Sequence, residues 1–361
     1  MLASTRALQI ACHGSLSISL SPSRKTASSK NSEMRSKLYD AYRDAASTKR
    51  GDDGALPASV APGREHDYIA LGQQLQPVLL LSCASSVGLK RPPISLQHLT
   101  VEFGIRFRVR APTGVVEDDF VVISLRGDDV GLAEAFCLAA DALLAALPDT
   151  PSASDIEKVV REFVEVLSVL SLPSTRAVAG LWAELWLMSV AVDPQAAVAA
   201  WHNDPTDRFD FSFPGHLVEV KATEREERSH DFSYEQLRSA GMPILVASLR
   251  LRRAQRGKSI ADLVSALQNE LSVELRTKLV RNVFGAIGNS VSEASEIRFD
   301  EVFANANLRV LPADRVPVVV IPDGSPISAV RFRVNLDDSS LTSAMLRPAI
   351  HLALVAPGEK W

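Results

Sequence analysis

The stretch FDFSFPGHLVEVK, residues 209–221, constrains the fold of this chain more than any other part of its sequence. Apolar and polar residues alternate on both sides of a Pro-Gly pair, and successive side chains of a strand point to opposite faces of its sheet. The pattern predicts two short strands joined by a turn at Pro214 and Gly215. A two-residue loop pairs Phe211 with Val218, although this turn type is uncommon in hairpins and leaves a longer loop or a bulge open.

In that register Asp210 lies directly opposite Glu219. Directly opposed residues have Cβ atoms about 5 Å apart, and like charges in this position destabilise a sheet. The pair becomes tolerable when one carboxyl group holds a proton or when a cation lies between the two. Lys221 lies on the same face as Glu219, and a metal and an ammonium beside two carboxylates form a site that can hydrolyse phosphodiesters. The residues also fit a surface hairpin whose polar face carries these three charges in water.

A third carboxylate comes from the segment AVAGLWAELWLMSVAV, residues 177–192, in which Glu184 is the only charged side chain. A helix that is apolar on nearly every side is buried, and a buried carboxylate without a partner is very costly. We therefore expect Glu184 to point toward a cation at the sheet. The alternative is a glutamate at the one hydrated position of this helix.

Hydrophobic periodicity divides the chain into four parts. They are a largely disordered segment, a β-rich and then helical domain, a mixed α/β core, and a C-terminal helical and β extension, at residues 1–65, 66–172, 173–260 and 261–361. A short helix is expected at 33–46, and two strands are expected at 315–322 and 328–336. The first 32 residues are rich in Ser, basic and without acids, which is typical of a transit peptide, but we favour a disordered tail or a start at Met34.

The formal net charge of −4 gives no overall attraction to polyanions, so binding to nucleic acid must come from a local patch. The best candidate follows a predicted buried strand and holds five cations without an acid: Arg250, Arg252, Arg253, Arg256 and Lys258. We expect these side chains to contact backbone phosphates, although a solvated charged face has the same pattern. His230, in a predicted loop, is either a further phosphate contact or simply an exposed histidine.

Three cysteines, Cys12, Cys83 and Cys137, are far apart and show no CxxC spacing. They support neither a disulfide framework nor a zinc site, which favours a reducing, cytoplasmic location. No apolar run approaches the roughly 20 residues that a membrane-spanning helix needs, so no membrane is expected as a partner. The sequence has no P-loop, so chemistry driven by ATP is not expected in this chain.

The order of acidic and basic residues resembles the PD-(D/E)XK nuclease superfamily, and within it the prokaryotic group called "PD-(D/E)XK motif protein". The matching residues are Glu184 on a helix, Asp210 on a strand, and Glu219 and Lys221 on the next strand. Three segments carry the resemblance: GLWAELWLM, DRFDFSFPGHLVEVKAT and HDFSYEQL. It is close over residues 180–237 and loose over the rest of the chain.

The resemblance implies an α/β (α+β) fold with a restriction-endonuclease-like core, in which helices flank a mixed central sheet. It implies a Mg²⁺ site, in which Mn²⁺ can substitute, formed by Asp210, Glu219 and the backbone carbonyl of Val220. Glu184 would complete or support this site. Lys221 would position or activate the attacking water.

In many relatives a glutamine on the following helix faces the metal, and Gln236 holds that position here. Gln236 also stands three residues after Ser233, so it fits a capping box with a purely structural role. One departure from the motif is that Phe209, not proline, precedes Asp210. This leaves Asp207 as a weaker rival for the role of the aspartate.

The resemblance points to a Mg²⁺-dependent endonuclease acting on DNA, with RNA left open, in a restriction or phage-defence system. Its expected partners are DNA, other subunits of a defence complex and, in a homodimer, a second copy of the chain. One alternative is a catalytically inactive subunit that keeps the fold and binds nucleic acid or acts as a scaffold. The large regions outside the nuclease core support that alternative. Another is a hydrolase of a different phosphate ester.

Overall fold

The computed structural model describes residues 36–48, 53–83, 91–172, 174, 177–202, 207–238, 241–322 and 324–337. Within these ranges the α-helices are α1 Lys37–Ser47, α2 Val130–Leu144, α3 Ala153–Ser168, α4 Val178–Ser189, α5 Pro194–Ala200, α6 Ile260–Gln268, α7 Val273–Ile287, α8 Val291–Glu296 and α9 Glu301–Ala306. The strands are β1 Leu56–Val60, β2 Tyr68–Leu71, β3 Pro77–Leu81, β4 Ile94–Ser95, β5 Leu99–Ala111, β6 Gly114–Leu125, β7 Phe211–Phe213, β8 His216–Thr223, β9 Ser229–Ser233, β10 Ile244–Arg250, β11 Arg253–Lys258, β12 Leu308–Pro312 and β13 Arg331–Asn335. Of the helices in these ranges, none combines the length and the apolar character needed to cross a membrane.

Four strands form the mixed sheet that carries the candidate site, in the order β12-β10-β8-β7. Strand β8 pairs antiparallel with β7 and parallel with β10, and β12 pairs antiparallel with β10. Side chains of one face, among them Val218 and Ala247, join an apolar core that includes Trp182 and Trp186 of α4. Helices packed on a mixed sheet confirm the predicted α/β class.

The opposite face of this sheet is covered by a second apolar cluster. Leu217 and Val246 belong to it, together with Phe232 of β9 and Val334 of β13. Strands β9 and β13 form a separate antiparallel pair. Because side chains alternate along β8, Glu219 and Lys221 lie on the same covered face as Leu217.

The N-terminal strands form another sheet, in the order β1-β2-β3-β6-β5-β4. Strand β1 also pairs in parallel with β5, which closes five of these strands into a small barrel. Alternate side chains, including Tyr68 and Phe120 in edge-to-face contact, form one apolar cluster. The intervening side chains, such as Leu79 and Val121, join the core that the barrel shares with the helices.

Two elements lie inside the segment that was expected to be largely disordered, residues 1–65. Helix α1 matches the short helix predicted at 33–46, and both α1 and β1 bury side chains, such as Leu38 and Ala58. The predicted helix is therefore confirmed by α1, whereas the prediction of disorder is wrong for β1. Residues 1–35 lie outside the described ranges. The predicted boundaries after residues 172 and 260 stay predictions.

The two strands predicted near the C-terminus have different outcomes. Strand β13 confirms the prediction for 328–336, whereas 315–322 is not a strand. Pro317 and Pro322 have no N–H to donate to a ladder, and the side chain of Val320 is 88% exposed. The edge of the mixed sheet is formed instead by β12, just before this stretch.

Candidate active site

The hairpin of β7 and β8 has the register that its alternation predicts. Phe211 pairs with Val218 and Phe213 with His216, so the loop contains the two expected residues. The ladder ends at Phe211, immediately after Asp210. The predicted two-residue connection is therefore confirmed, and the longer loop is not needed.

Asp210 is held against the middle of β8. Its carboxylate oxygen Oδ2 accepts a hydrogen bond of 2.7 Å from the backbone N–H of Val220, which lies between Glu219 and Lys221. Only 7% of Asp210 and 3% of Glu219 is exposed, so neither is the solvated surface charge that the alternative interpretation requires. The rival Asp207 is exposed and lies near Lys278.

Glu219 is the centre of the cluster. Its Oε1 accepts hydrogen bonds from Lys221 Nζ at 2.7 Å and from Gln236 Nε2 at 2.6 Å. Its Oε2 is buried and has no hydrogen-bond partner among the described residues. Burial, followed by the nearby Asp210 carboxylate, raises the pKa of Glu219 to about 8, although the Lys221 ammonium opposes the change and Glu184 adds to it. Without a cation, this carboxyl group therefore holds a proton near neutral pH.

Lys221 lies between polar and aromatic partners. Besides Glu219 it contacts Gln236 Oε1 at 3.4 Å, and its ammonium lies 5.1 Å from the ring centroid of Phe232. Its side chain is 17% exposed, so it is the part of the cluster that reaches toward solvent. A ligand that enters from solvent would meet this ammonium beside Glu219.

Gln236 has both of the arrangements that its position suggested. The backbone N–H of Gln236 donates to Ser233 Oγ, and Gln236 Oε1 accepts from the N–H of Ser233, which forms the expected capping box of a 3₁₀ turn at 234–237. The amide nitrogen of the same side chain donates to Glu219. The cap therefore fixes the glutamine that in turn orients the acid.

Glu184 is buried in α4, with 3% of its surface exposed, which excludes the hydrated position. Its Oε2 accepts a hydrogen bond of 2.7 Å from the indole N–H of Trp201, and His202 Nε2 lies 3.6 Å from the same oxygen. These two residues were missed because nothing in their local pattern marks them. The indole N–H of Trp201 is therefore an observed partner of Glu184, and the expected cation would be a further one.

His230 does not lie in a loop, and it is not exposed. It lies on β9 with 5% of its surface exposed, and its Nε2 is 2.8 Å from Ser248 Oγ. Burial, assisted by the nearby charges of Lys221 and Arg228, lowers the pKa of His230 to about 4, so its ring is neutral at neutral pH. The structure thus contradicts the exposed loop position of His230, whereas its contact with a phosphate stays a prediction.

Arg228 is a buried cation that the sequence did not indicate. Only 1% of it is exposed, and its guanidinium donates to the carbonyl oxygens of Ser248 and Asn307 and to Ser248 Oγ. Asp337 lies 3.4 Å from its Nε. Arg228 thereby ties β9 to β10 and to the residue that precedes β12.

The basic stretch after β10 is largely neutralised by acids from other parts of the chain. Arg252 pairs with Asp300, Arg253 Nε lies 2.7 Å from Glu224, and Lys258 Nζ lies 3.1 Å from Glu301. Separately, the Arg250 guanidinium lies 6.0 Å from the ring centroid of Phe303, and the Arg256 side chain is exposed. The stretch has fewer available cations than its sequence indicates, and its contact with phosphates stays a prediction.

The acidic cluster is suited to a divalent cation. Across residues 36–337, as far as the structure describes them, no three His, Cys, Asp or Glu side chains are already arranged around a common ion position. Glu219, whose Oε2 has no hydrogen-bond partner among the described residues, nevertheless interacts with a second buried carboxylate, that of Asp210, and carboxylate oxygens are the donors that Mg²⁺ prefers. Two carboxylates with a backbone carbonyl and waters fit this ion, so the residues and the expected metal agree.

Comparison with protein families finds a match to most of the chain. Residues 64–308, more than half of the chain, match the model of the family described as "Putative PD-(D/E)XK family member, (DUF4420)". The matched range contains every site residue discussed above except Asp337. No curated protein and no solved structure matches the chain.

Proposed function

Because this chain belongs to the DUF4420 family of the PD-(D/E)XK type, we propose that it is a divalent-metal-dependent endonuclease that hydrolyses phosphodiester bonds of DNA. One observation carries the proposal: Asp210, just before β7, and Glu219, on β8, are buried and interact with each other, and the Lys221 ammonium lies 2.7 Å from Glu219. Structural ion pairs seldom place two acids against one base in a buried position, because the unbalanced charge is costly.

The carboxylates of Asp210 and Glu219 and the backbone carbonyl of Val220 would hold Mg²⁺ or Mn²⁺. When bound, the ion lowers the pKa of a water molecule and offsets negative charge on the phosphate oxygens. Glu184 would support the site from α4, where a hydrogen bond from Trp201 holds its carboxylate in place.

Lys221 would stabilise the negative charge that develops on the attacking water and on the phosphate. An ammonium is a compact point charge, and a charge that is fixed before the reaction costs no reorganisation during it. Its contacts with Glu219 and Gln236 fix the position of Nζ. Partial exposure of the Lys221 side chain lets a phosphate approach this position from solvent.

DNA as the substrate, and a place in a restriction or phage-defence system, are extensions of the proposal. They are supported by the resemblance of the three motif segments. The neutralised basic stretch gives them little support, so contacts with DNA are expected mainly at the acidic cluster and its ion. Further subunits and a homodimer stay predictions.

Cleavage of plasmid DNA tests the proposal. Purified protein should nick or cut the plasmid with Mg²⁺ or Mn²⁺ and not with EDTA. Lys221→Ala should be slower by roughly 100-fold or more, the scale seen when one preorganised charge-stabilising donor is removed. Lys158→Ala, which changes an exposed lysine of α3, should cut like the wild type.

The outcomes separate the alternatives. Equal cutting by the wild type and Lys221→Ala would place the activity elsewhere and overturn the assignment of this site. No cutting by a folded protein that still binds the ion would favour the non-catalytic subunit. Cleavage of RNA but not DNA would retain the chemistry and change the substrate.

A further inference from the structure

His202 is the most unusual polar side chain near the site. Its side chain is 4% exposed, and neither Nδ1 nor Nε2 has a hydrogen-bond partner among the described residues. Buried polar atoms in folded proteins almost always have a partner, and an exception often marks a place where an ion or water is missing. Nothing in the proposed nuclease mechanism uses this ring.

The backbone around His202 is fixed from two sides. Its N–H donates to the carbonyl oxygen of Asp210 at 3.0 Å, and its carbonyl oxygen accepts from Asn282 Nδ2 at 2.6 Å. The preceding Trp201 pairs with Phe211 across the edge of β7, and its carbonyl oxygen accepts from Lys278 of α7. Continuation of this pairing by one residue places His202 opposite Asp210, so the orphaned ring belongs to the edge of the acidic cluster.

The ring is directed at Glu184. Its Nε2 lies 3.6 Å from Glu184 Oε2, which is too long for a hydrogen bond. Two ligand atoms that each lie about 2.1 Å from one ion, at right angles, are separated by roughly 3.0 Å. A shift of about 0.6 Å, from 3.6 Å to roughly 3.0 Å, would therefore let both atoms bind the same ion.

The charges around the ring also favour a divalent ion. Glu184, Asp210 and Glu219 contribute three negative charges when ionised, and Lys221 contributes one positive charge. The difference is two negative charges in a buried cluster, which one divalent cation would balance.

We propose that His202 is a nitrogen ligand of the divalent ion in this site, together with Glu184, and that the site therefore binds Mn²⁺ more tightly than Mg²⁺. Imidazole suits transition-metal ions, whereas Mg²⁺ prefers oxygen ligands and keeps its waters. This inference rests on the metal site of the proposed function, but it does not depend on cleavage of DNA. It extends the donor set beyond Asp210, Glu219 and the Val220 carbonyl.

Pulsed electron paramagnetic resonance of the Mn²⁺-loaded protein tests the inference directly. The wild type should show modulation from a directly bound imidazole nitrogen. His202→Ala should lose that modulation, and His66→Ala, which changes an exposed histidine, should keep it. Because the wild type alone shows whether a nitrogen is bound, a variant that fails to fold does not prevent a decision.

Affinity provides a second readout. Titration with Mn²⁺ and with Mg²⁺ should show that His202→Ala and His202→Asn weaken Mn²⁺ binding by roughly tenfold or more and change Mg²⁺ binding less. Thermal unfolding in EDTA checks that these variants are folded. Wild-type protein that binds Mn²⁺ without nitrogen modulation, or that binds no Mn²⁺, would overturn the inference.

The failure of this inference and of the proposed nuclease activity can be told apart. Nitrogen modulation without DNA cleavage would support the role of His202 and count against the nuclease. Cleavage by a protein whose bound Mn²⁺ shows no nitrogen signal would leave the nuclease intact and remove His202 from the site.

Discussion

Gln236 donates a hydrogen bond of 2.6 Å to Oε1 of Glu219 while its own carbonyl oxygen accepts from the backbone N–H of Ser233. One side chain therefore ends a strand, starts a turn and orients an acid of the candidate site. Two variants separate the cap from the contact with the acid. Ser233→Ala removes the acceptor of the Gln236 backbone N–H and keeps both side-chain bonds of Gln236, whereas Gln236→Ala removes those two side-chain bonds.

Both variants should lower the free energy of unfolding by about 0.5–2 kcal/mol, the usual cost of losing a helix cap. Only Gln236→Ala should also slow metal-dependent cleavage strongly, because only that variant frees Glu219. Urea unfolding and plasmid cleavage measure the two effects. Equal losses of activity in Ser233→Ala and Gln236→Ala would show that Gln236 acts on the site only through the fold.

A divalent ion should stabilise the folded chain. An ion at about 100 times its dissociation constant contributes about 2.7 kcal/mol if it binds only the folded state. Asp210→Asn should reduce this gain, because it removes the carboxylate that interacts with Glu219 in the acidic cluster. Asp207→Asn, at the exposed rival aspartate, should keep the full gain. Thermal unfolding with and without Mg²⁺ or Mn²⁺ provides the comparison, and an identical gain in both variants would argue against Asp210 as a ligand.

The metal-free protein should become less stable as the pH rises through the titration of Glu219. The pKa of this group is raised from 4.5 to about 8 by burial and by Asp210, so the folded state binds the proton more tightly than the unfolded state. Its contribution is complete below pH 4.5 and is lost as the pH rises to about 8, with a slope of at most about 1.4 kcal/mol per pH unit.

Glu219→Gln, which cannot ionise, should remove that part of the pH dependence. Urea unfolding in EDTA between about pH 5 and pH 9 measures the slope. Glu226→Gln, at an exposed glutamate, serves as the matched control and should keep the wild-type slope. A wild-type stability that is flat across this range would contradict the prediction.

Arg228 should contribute to the free energy of unfolding and not to binding of the divalent ion. Replacing Arg228 with methionine leaves the carbonyl oxygens of Ser248 and Asn307 without this donor, and a buried polar group left unsatisfied costs about 1–3 kcal/mol. Arg225→Met, at an exposed arginine three residues earlier, should change the free energy of unfolding by less than about 0.5 kcal/mol. Chemical denaturation of both variants is the measurement, and similar losses would mean that burial of Arg228 contributes little.

The parts of the site that could be predicted from sequence are those encoded over short distances. The register of β7 and β8 followed from strict alternation and a Pro-Gly turn, so Asp210 and Glu219 were placed correctly beside each other. The capping box of Ser233 and Gln236 is equally local. Burial of Glu184 followed from the uniformly apolar segment around it.

The parts that could not be predicted depend on partners that are distant in the chain. Glu301 is far along the chain from Lys258, with which it forms an ion pair. The sequence shows only a run of cations without neighbouring acids, so these cations were expected to be free to bind phosphates. His230 looked like a loop residue because its strand, β9, pairs with β13 about a hundred residues later. The position of His202 follows from pairing with β7, which no local periodicity reveals.

The closure of the barrel by β1 makes its integrity depend on a few early residues. Leu56 and Pro57 of β1 pair with Val109 and Arg110 of β5. The pairing that closes the barrel therefore joins its first strand to a strand that is synthesised some fifty residues later. A truncation that removes β1 would leave β2 and the end of β5 with unpaired backbone groups. Unpaired strand edges form hydrogen bonds with strands of neighbouring chains. The truncated protein is therefore expected to aggregate before its loss of activity can be assayed.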